Sequence, residues 1–379
     1  MARARIGYGQ VIAVIGEPGI GKSRLAWEVT HSESVRGWLV VEGSAVSYGR
    51  TTPYLPIIEM LRAYFQIEMR DTAEEILDKV TGKLRSLGHA LEPFLSPLLF
   101  LLDIPHEDPG WEELDPPRRR ARILEAIRSL FIRESQRRPV LLIVENLHWV
   151  DDETQAVLDI LVDSLPGFCI LLFVNYRPNY EHGWARKAYY TQIRLDPLPS
   201  AHVSSLLDYL LGEDDALAGL KQALINRAQG NPFFLEEIVR TLVETRVLAG
   251  EPGQYRLAQP LGSIQVPATV QAMLAARIDR LARQEKSLLQ SAAVIGKDAP
   301  LALLQGIAEL PDEALRGGLS RLQAAEFLYE TSVFPDSGVH VQARADPRSR
   351  LWNPSAEPEA GPSRADSPSD RETSRRPPP

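Results

Sequence analysis

Short, nearly continuous apolar runs recur along the first half of the chain. They are QVIAVI at 10–15, WLVVE at 38–42, PVLLIV at 139–144 and FCILLFV at 168–174. Runs of this length without polar alternation suit strands of a parallel sheet covered on both faces, because a half-exposed strand would alternate. QIRL at 192–195 reads as an edge strand. Between the second and third runs, over 53–138, the spacing becomes helical. Amphipathic segments fall at 55–67, 72–87 and 117–136, with Asp115-Pro116-Pro117 as a helix start. From about 200 to 248 the spacing is helical again. A further helical block covers 267–330, opening at Pro267, and its ending EFLYETSVF has the composition of a strand pair. No repeat of fixed period is visible.

After about residue 343 the character changes. Between Pro347 and Pro379 the chain is rich in Pro, Ser and Arg, with Leu351 and Trp352 as its large apolar residues. Such a segment cannot bury enough surface to offset its ordering entropy, so disorder is expected from about residue 339. The rest, in a chain of 379 residues with 44% hydrophobic and 24% charged positions, has the composition of ordinary globular domains. A net charge of −8 argues against general nucleic-acid affinity, and no apolar run approaches the length that crosses a bilayer. The start, MARARIGYGQVIAVIG, has too short an apolar stretch for a secretion signal. The single cysteine, Cys169, excludes an internal disulfide and fits a reducing cytoplasm.

Between the first run and a helical segment at 23–30 lies GEPGIGKS, residues 16–23, which matches G-x-x-x-x-G-K-[ST] in full. In that pattern glycines let successive backbone N–H groups face phosphate oxygens. The loop Gly16, Glu17, Pro18, Gly19, Ile20 and Gly21, with Lys22, Ser23 and Arg24, is the candidate ATP phosphate site. Lys22 carries a cation to the β and γ phosphates, Ser23 offers a hydroxyl to Mg²⁺, and the helix dipole favours the anion.

A phosphate loop needs an acid on a nearby strand. Glu145 stands where the run 139–144 ends, a position suited to the metal and the attacking water. Asn146 follows. A carboxylate there could take a proton, whereas an amide only orients water. Asp151 and Asp152 read as N-caps of a helix near Glu153, with catalysis as the alternative. His148 and Trp149 read as packing residues. Arg177, after Val174-Asn175-Tyr176, is a candidate sensor of the γ-phosphate; otherwise it is a surface arginine before a turn-forming proline.

These pieces together resemble the STAND/AAA-type P-loop ATPase module that occurs beside class III adenylyl or guanylyl cyclase domains, in large LuxR-type regulators and in some kinase fusions. The stretches that carry the resemblance are GEPGIGKSRLAWE, PYLPIIEMLR, VLLIVENLHWVDDET, LLFVNYRP, GNPFFLEEIVRTL and VPATVQAMLAARIDRL, covering roughly 6–335 in order. The resemblance implies an α/β P-loop core over 1–198 with a helical insertion at 53–138, a helical lid at 199–262 and a winged-helix domain at 263–338. It also implies that Gly230-Asn231-Pro232 closes on bound ATP or ADP, with Pro232 touching the nucleotide. The activity it implies is a nucleotide-dependent switch with slow ATP hydrolysis, working on a cyclase, kinase or transcription-regulator output domain or partner.

Three departures qualify this. Asn146 stands where relatives carry an acid, which weakens the case for fast hydrolysis. The Gly-Arg-containing helix that usually precedes the first strand is absent, and no output domain is recognisable. The sequence therefore reads as a piece of a larger signalling protein. Relatives also continue with a Phe-Lys-His-Ala-Leu stretch, where residues 339–347 here read Val-His-Val-Gln-Ala-Arg-Ala-Asp-Pro. Tyr-Thr-Phe-Lys-His-Ala-Leu-Thr-His in GC-rich codons, read one nucleotide out of frame, gives those residues. A frame shift near Gly338 and a genuine Pro/Ser-rich linker are the two readings, and sequencing the gene there separates them.

Three other functions stay open. A winged-helix DNA-binding regulator is disfavoured by the acidic charge and the lack of a Lys/Arg-rich recognition helix, since Arg277, Arg280 and Arg283 form only a small basic cluster. A metabolite kinase lacks an identifiable acceptor base. A pseudo-ATPase, binding nucleotide without hydrolysis, fits Asn146.

Overall fold

In the computed structural model the apolar runs are strands lying side by side. Residues 1–46, 52–68, 70–259, 270–295, 298–308, 310–324, 327–330 and 340–343 are described. Helix α1 (Ala2–Arg5) precedes β1 (Gln10–Ile15), α2 (Lys22–Thr30) and β2 (Leu39–Ser44). The insertion follows as α3 (Leu55–Phe65), α4 (Ala73–Leu87), α5 (Leu95–Leu101), α6 (Pro109–Glu112) and α7 (Pro116–Ser135). Then come β3 (Val140–Glu145), α8 (Asp152–Ser164), β4 (Ile170–Tyr176) and β5 (Tyr190–Arg194).

The sheet order is β2-β3-β4-β1-β5, and every pair is parallel. β5 is the edge expected of QIRL. Both faces of the central strands β1, β3 and β4 are covered, which is why their apolar runs do not alternate. Val11, Ala13, Val140, Leu142, Leu172 and Val174 pack with the insertion helices and α8. Val14, Leu141, Ile143, Leu171 and Phe173 pack on the other side with Ala26, Trp38 and Ala4. The protein is thus an α/β P-loop NTPase fold with a parallel sheet.

The insertion helices start where capping chemistry dictates. Asp115 accepts from the Arg118 amide at 2.9 Å to cap α7. Thr72 and Glu75 form a reciprocal capping box on α4. Helices α5 and α6 were not legible as separate elements. The first is an almost wholly apolar segment, buried except at half-buried Leu95 and exposed Phe100, and so lacks a polar face.

Helices α9 (Ser200–Leu211), α10 (Ala218–Ala228) and α11 (Pro232–Glu244) enclose their own core of Leu206, Leu207, Leu224, Leu235 and Ile238. A short antiparallel pair, β6 (Leu248–Ala249) and β7 (Arg256–Leu257), follows. Beyond it lie α12 (Val270–Arg280), α13 (Arg283–Ile295), β8 (Asp298–Pro300), α14 (Leu301–Ala308), α15 (Asp312–Ala324), β9 (Leu328–Glu330) and β10 (His340–Ala343). Strand β10 pairs antiparallel with both β8 and β9. Residues 340–343, expected in a disordered tail, are therefore a strand, held by backbone pairing that composition does not reveal. Pro267, residues 331–339 with Gly338, and everything from 344 onward lie outside the described residues. The chain divides into two compact units, Met1–Arg348 and Ser349–Pro379, of which the second is not described. No helix among the described residues is long and apolar enough to cross a membrane.

Candidate functional site

The register brings the motif residues to one sheet edge. Ile15 pairs with Tyr176, Val14 with Asn175, and Ser44 with Glu145, so β1, β2, β3 and β4 end together. This is the carboxyl edge of an open parallel sheet, where ligands bind.

From Ile15 the chain enters the loop and begins α2 at Lys22. Gly21 caps that helix at φ 103°, in the left-handed region that favours glycine. Gly19 sits at φ 78°, and a Cβ there would meet Asn231 Oδ1 at 2.8 Å. Glu17 and Pro18 are exposed and Ile20 is buried. Arg24 turns along the helix instead, its Nε donating to Glu28 at 2.9 Å and its guanidinium lying over Trp27. Lys22 is buried, and its Nζ donates to the carbonyls of Gly16 at 2.8 Å and Glu17 at 2.9 Å. The ammonium is thus held across the mouth of the loop.

Burial, and then the nearby charge of Arg177, push the Lys22 pKa down to about 8, against the opposing pull of Glu17 and Glu145. The free site therefore loses this positive charge as pH rises through 8. Phosphate binding favours the ammonium, so nucleotide affinity is expected to fall about tenfold per pH unit above 8, with proton uptake on binding. It should be flat below pH 7 as far as Lys22 is concerned. Calorimetric titration with ATP at pH 9, in buffers of different ionisation enthalpy, measures that uptake directly.

Glu145 is the last residue of β3 and is buried. The Ser23 hydroxyl donates to its Oε2, and Asn175 Nδ2 donates to the same oxygen at 3.1 Å. Asn175 also accepts from the Asn146 amide at 2.8 Å. A fully buried side chain on β4 thus fixes both the carboxylate and the residue beside it. Sequence reading passed over Asn175. Its signal was a lone amide inside an apolar strand, and buried polar groups are found hydrogen-bonded. Asn146 adopts φ 61°, a left-handed conformation that Asn and Asp tolerate, and its Nδ2 reaches Ser44 Oγ at 3.5 Å.

Ser23 and Glu145 form a hard-oxygen pair of the kind Mg²⁺ takes, since that ion keeps waters and phosphate oxygens as its remaining ligands.

Arg177 follows β4 and lies over Trp149, 5.1 Å from the ring centroid. His148 is buried with its ring 4.5 Å from that of Trp149. Asp151 caps α8, accepting from the amides of Glu153 at 3.0 Å and Thr154 at 2.9 Å, while Asp152 is exposed on the first turn. Asp151 is thereby committed to structure.

The Gly230-Asn231-Pro232 segment reaches the phosphate loop itself. Asn231 Nδ2 donates to the Pro18 carbonyl at 3.0 Å, and the Phe233 amide to the Gly19 carbonyl at 3.3 Å. Asn231 also caps α11, accepting from the Phe234 amide at 3.1 Å, with Pro232 at the first helical turn. Arg277, by contrast, is buried. It pairs with Glu237 and with Glu244 at 2.7 Å, so it is not available to a phosphate backbone.

Residues 1–173 match the family model described as the AAA ATPase domain, and the chain carries a nucleotide-binding ATPase module. An uncharacterized protein of Rhizobium meliloti (strain 1021) is 26% identical over 362 residues, covering 86% of this chain and 30% of that protein. The chain therefore spans under a third of that relative's length. Among solved structures, the Signal Transduction ATPase with Numerous Domains (STAND) protein with a tetratricopeptide repeat sensor from Pyrococcus horikoshii is 13% identical. It covers 90% of this chain and 40% of its own, with a TM-score of 0.45. The Drosophila ORC bound to DNA is 16% identical, covering 90% and 88%, with a TM-score of 0.31.

Proposed function

We propose that this ATPase module is a STAND-type, nucleotide-controlled switch that binds ATP or ADP with Mg²⁺ and hydrolyses ATP slowly. The observation that carries the reading is the direct attachment of Asn231 and Phe233 to the backbone of Pro18 and Gly19. A γ-phosphate enters the space this loop encloses, so its presence bears on the segment that starts α11. In this reading residues 1–198 are the ATPase core, 199–262 the lid and 263–338 a winged-helix domain. The two last are linked by the buried pairing of Arg277 on α12 with Glu237 on α11. Loss of the γ-phosphate would then alter lid and winged helix together and act on a cyclase, kinase or regulator output. Pro232 contacts the nucleotide, and Arg177 senses the γ-phosphate. A cytoplasmic location accords with such a role.

In this site Lys22 and the loop amides bind the phosphates, Ser23 and Glu145 hold Mg²⁺, and Asn175 keeps Glu145 oriented. Bound Mg²⁺ supplies charge neutralisation on the phosphate oxygens. Asn146 positions water without accepting its proton, which makes turnover slow.

The test is ATP turnover with Mg²⁺ by the parent and by Asn146→Asp. The left-handed backbone at 146 accepts aspartate, so the variant should fold. Its turnover is expected to rise at least about tenfold, toward the range of a positioned general base. A parent that binds ATP and hydrolyses it no faster than buffer, with the variant equally inert, would favour the pseudo-ATPase reading that Asn146 invites.

A further inference from the structure

Away from the nucleotide site, the insertion and α8 enclose a cleft of about 560 Å³. Its lining includes Tyr54, Ile58, Phe100 and Ile123, with Arg119, Arg120 and the Glu153 carboxylate as its charged members. A second cleft of about 410 Å³ meets it at Phe100 and Arg119. Phe100 is a large side chain left 49% exposed in an otherwise buried helix. Arg119 lies against both Phe100 and Trp111, at 5.8 and 5.4 Å from their ring centroids. Its described hydrogen bonds are two long contacts from Nη2, to the carbonyls of Glu112 at 3.3 Å and Leu114 at 3.4 Å.

The local charge is poorly matched to its surroundings. Arg118, Arg119, Arg120 and Arg122 crowd the first turns of α7, which carry no acidic residue, although the positive end of a helix dipole favours anions. Arg120 is answered by Glu153 at 2.7 Å and Arg118 by Asp115 at 3.7 Å. Arg119 has no carboxylate partner among the described residues. An apolar cleft with one guanidinium short of acceptors is the usual form of a small-molecule site.

We propose that this cleft binds a small amphipathic anion, an alkyl or aryl carboxylate whose apolar body rests on Ile58, Phe100 and Ile123 and whose carboxylate meets Arg119. The occupant touches Tyr54. That residue sits at φ 63°, strained for so bulky a side chain, and its hydroxyl donates to Glu153 at 2.7 Å while its amide donates to Asp151 at 3.2 Å. Those two acids start α8, the helix that follows Glu145 and Asn146.

The experiment is calorimetric titration of the full chain with decanoate and, separately, decanol, in the absence of nucleotide. Decanoate is expected to bind saturably at sub-millimolar concentration, with decanol about tenfold weaker or more, the loss of one charge-assisted contact. Arg119→Met keeps the apolar stem and should weaken decanoate about tenfold. Phe100→Ala, a truncation at a half-exposed position that spares the fold, should weaken it about fivefold, in line with the removed apolar contact. Equal binding of acid and alcohol, no saturable decanoate binding, or an unchanged affinity in a folded Phe100→Ala overturns the proposal. None of these readouts depends on ATP.

Discussion

Replacing Lys22 with alanine is expected to weaken ATP binding a few hundredfold and leave the fold in place. The ammonium is buried and held at 2.8 and 2.9 Å over the carbonyls of Gly16 and Glu17, so little reorganisation separates it from the β and γ phosphates. Loss of one or two charge-assisted hydrogen bonds in such a setting costs about 3–4 kcal/mol, which sets the expected factor. Helix α2 survives because Gly21 still caps it and Ala26 still packs on the sheet beside Val14. Adenosine, which has no phosphates, should bind parent and variant alike, and that comparison separates a phosphate role from general damage. Titration of ATP and adenosine by calorimetry gives both numbers. An ATP affinity unchanged by Lys22→Ala would place the phosphates elsewhere.

The sheet and this loop were legible because local chemistry dictates both. β1, β3 and β4 are buried on two faces and show it as unbroken apolar runs, and the glycine pattern of 16–23 has few other uses. Asp115 and Asp151 were readable as caps for the same reason, since an Asx residue before a helix bonds the amides that follow it. What stayed hidden depends on partners distant in sequence. Asn175 matters because β4 lies between β1 and β3, a strand order that no single segment encodes. Arg277 looked like part of a basic surface cluster, and only the packing of α12 against α11 buries it between Glu237 and Glu244. Asn231 caps the start of α11 locally, but its second bond, to Pro18, joins this segment to a loop more than two hundred residues earlier in the chain. Strand β10 was missed because its composition is that of a tail, while its order comes from pairing with β8 and β9.

Glu145→Gln is expected to lower turnover on the order of a hundred- to a thousandfold, while ATP affinity measured without Mg²⁺ changes less than about threefold. Of the residues that end β1, β2, β3 and β4, namely Ile15, Ser44, Glu145 and Tyr176, only Glu145 is a carboxylate. Asn146 beside it cannot accept a proton, so among these strand-end residues and Asn146 the negative charge and basicity rest on Glu145. Glutamine has the same shape, and its carbonyl can still accept from Ser23 and Asn175, which hold the side chain at position 145 now. The geometry is therefore retained and the charge alone is removed. That distinguishes this variant from Asn175→Ala, which keeps the charge and loosens its orientation, and should cost only about tenfold. Single-turnover hydrolysis of γ-labelled ATP, run with thermal midpoints to verify folding, orders the three proteins. If Glu145→Gln turned over like the parent, the carboxylate would be structural, and the reactive water would have to be handled from the Arg177 side of the site.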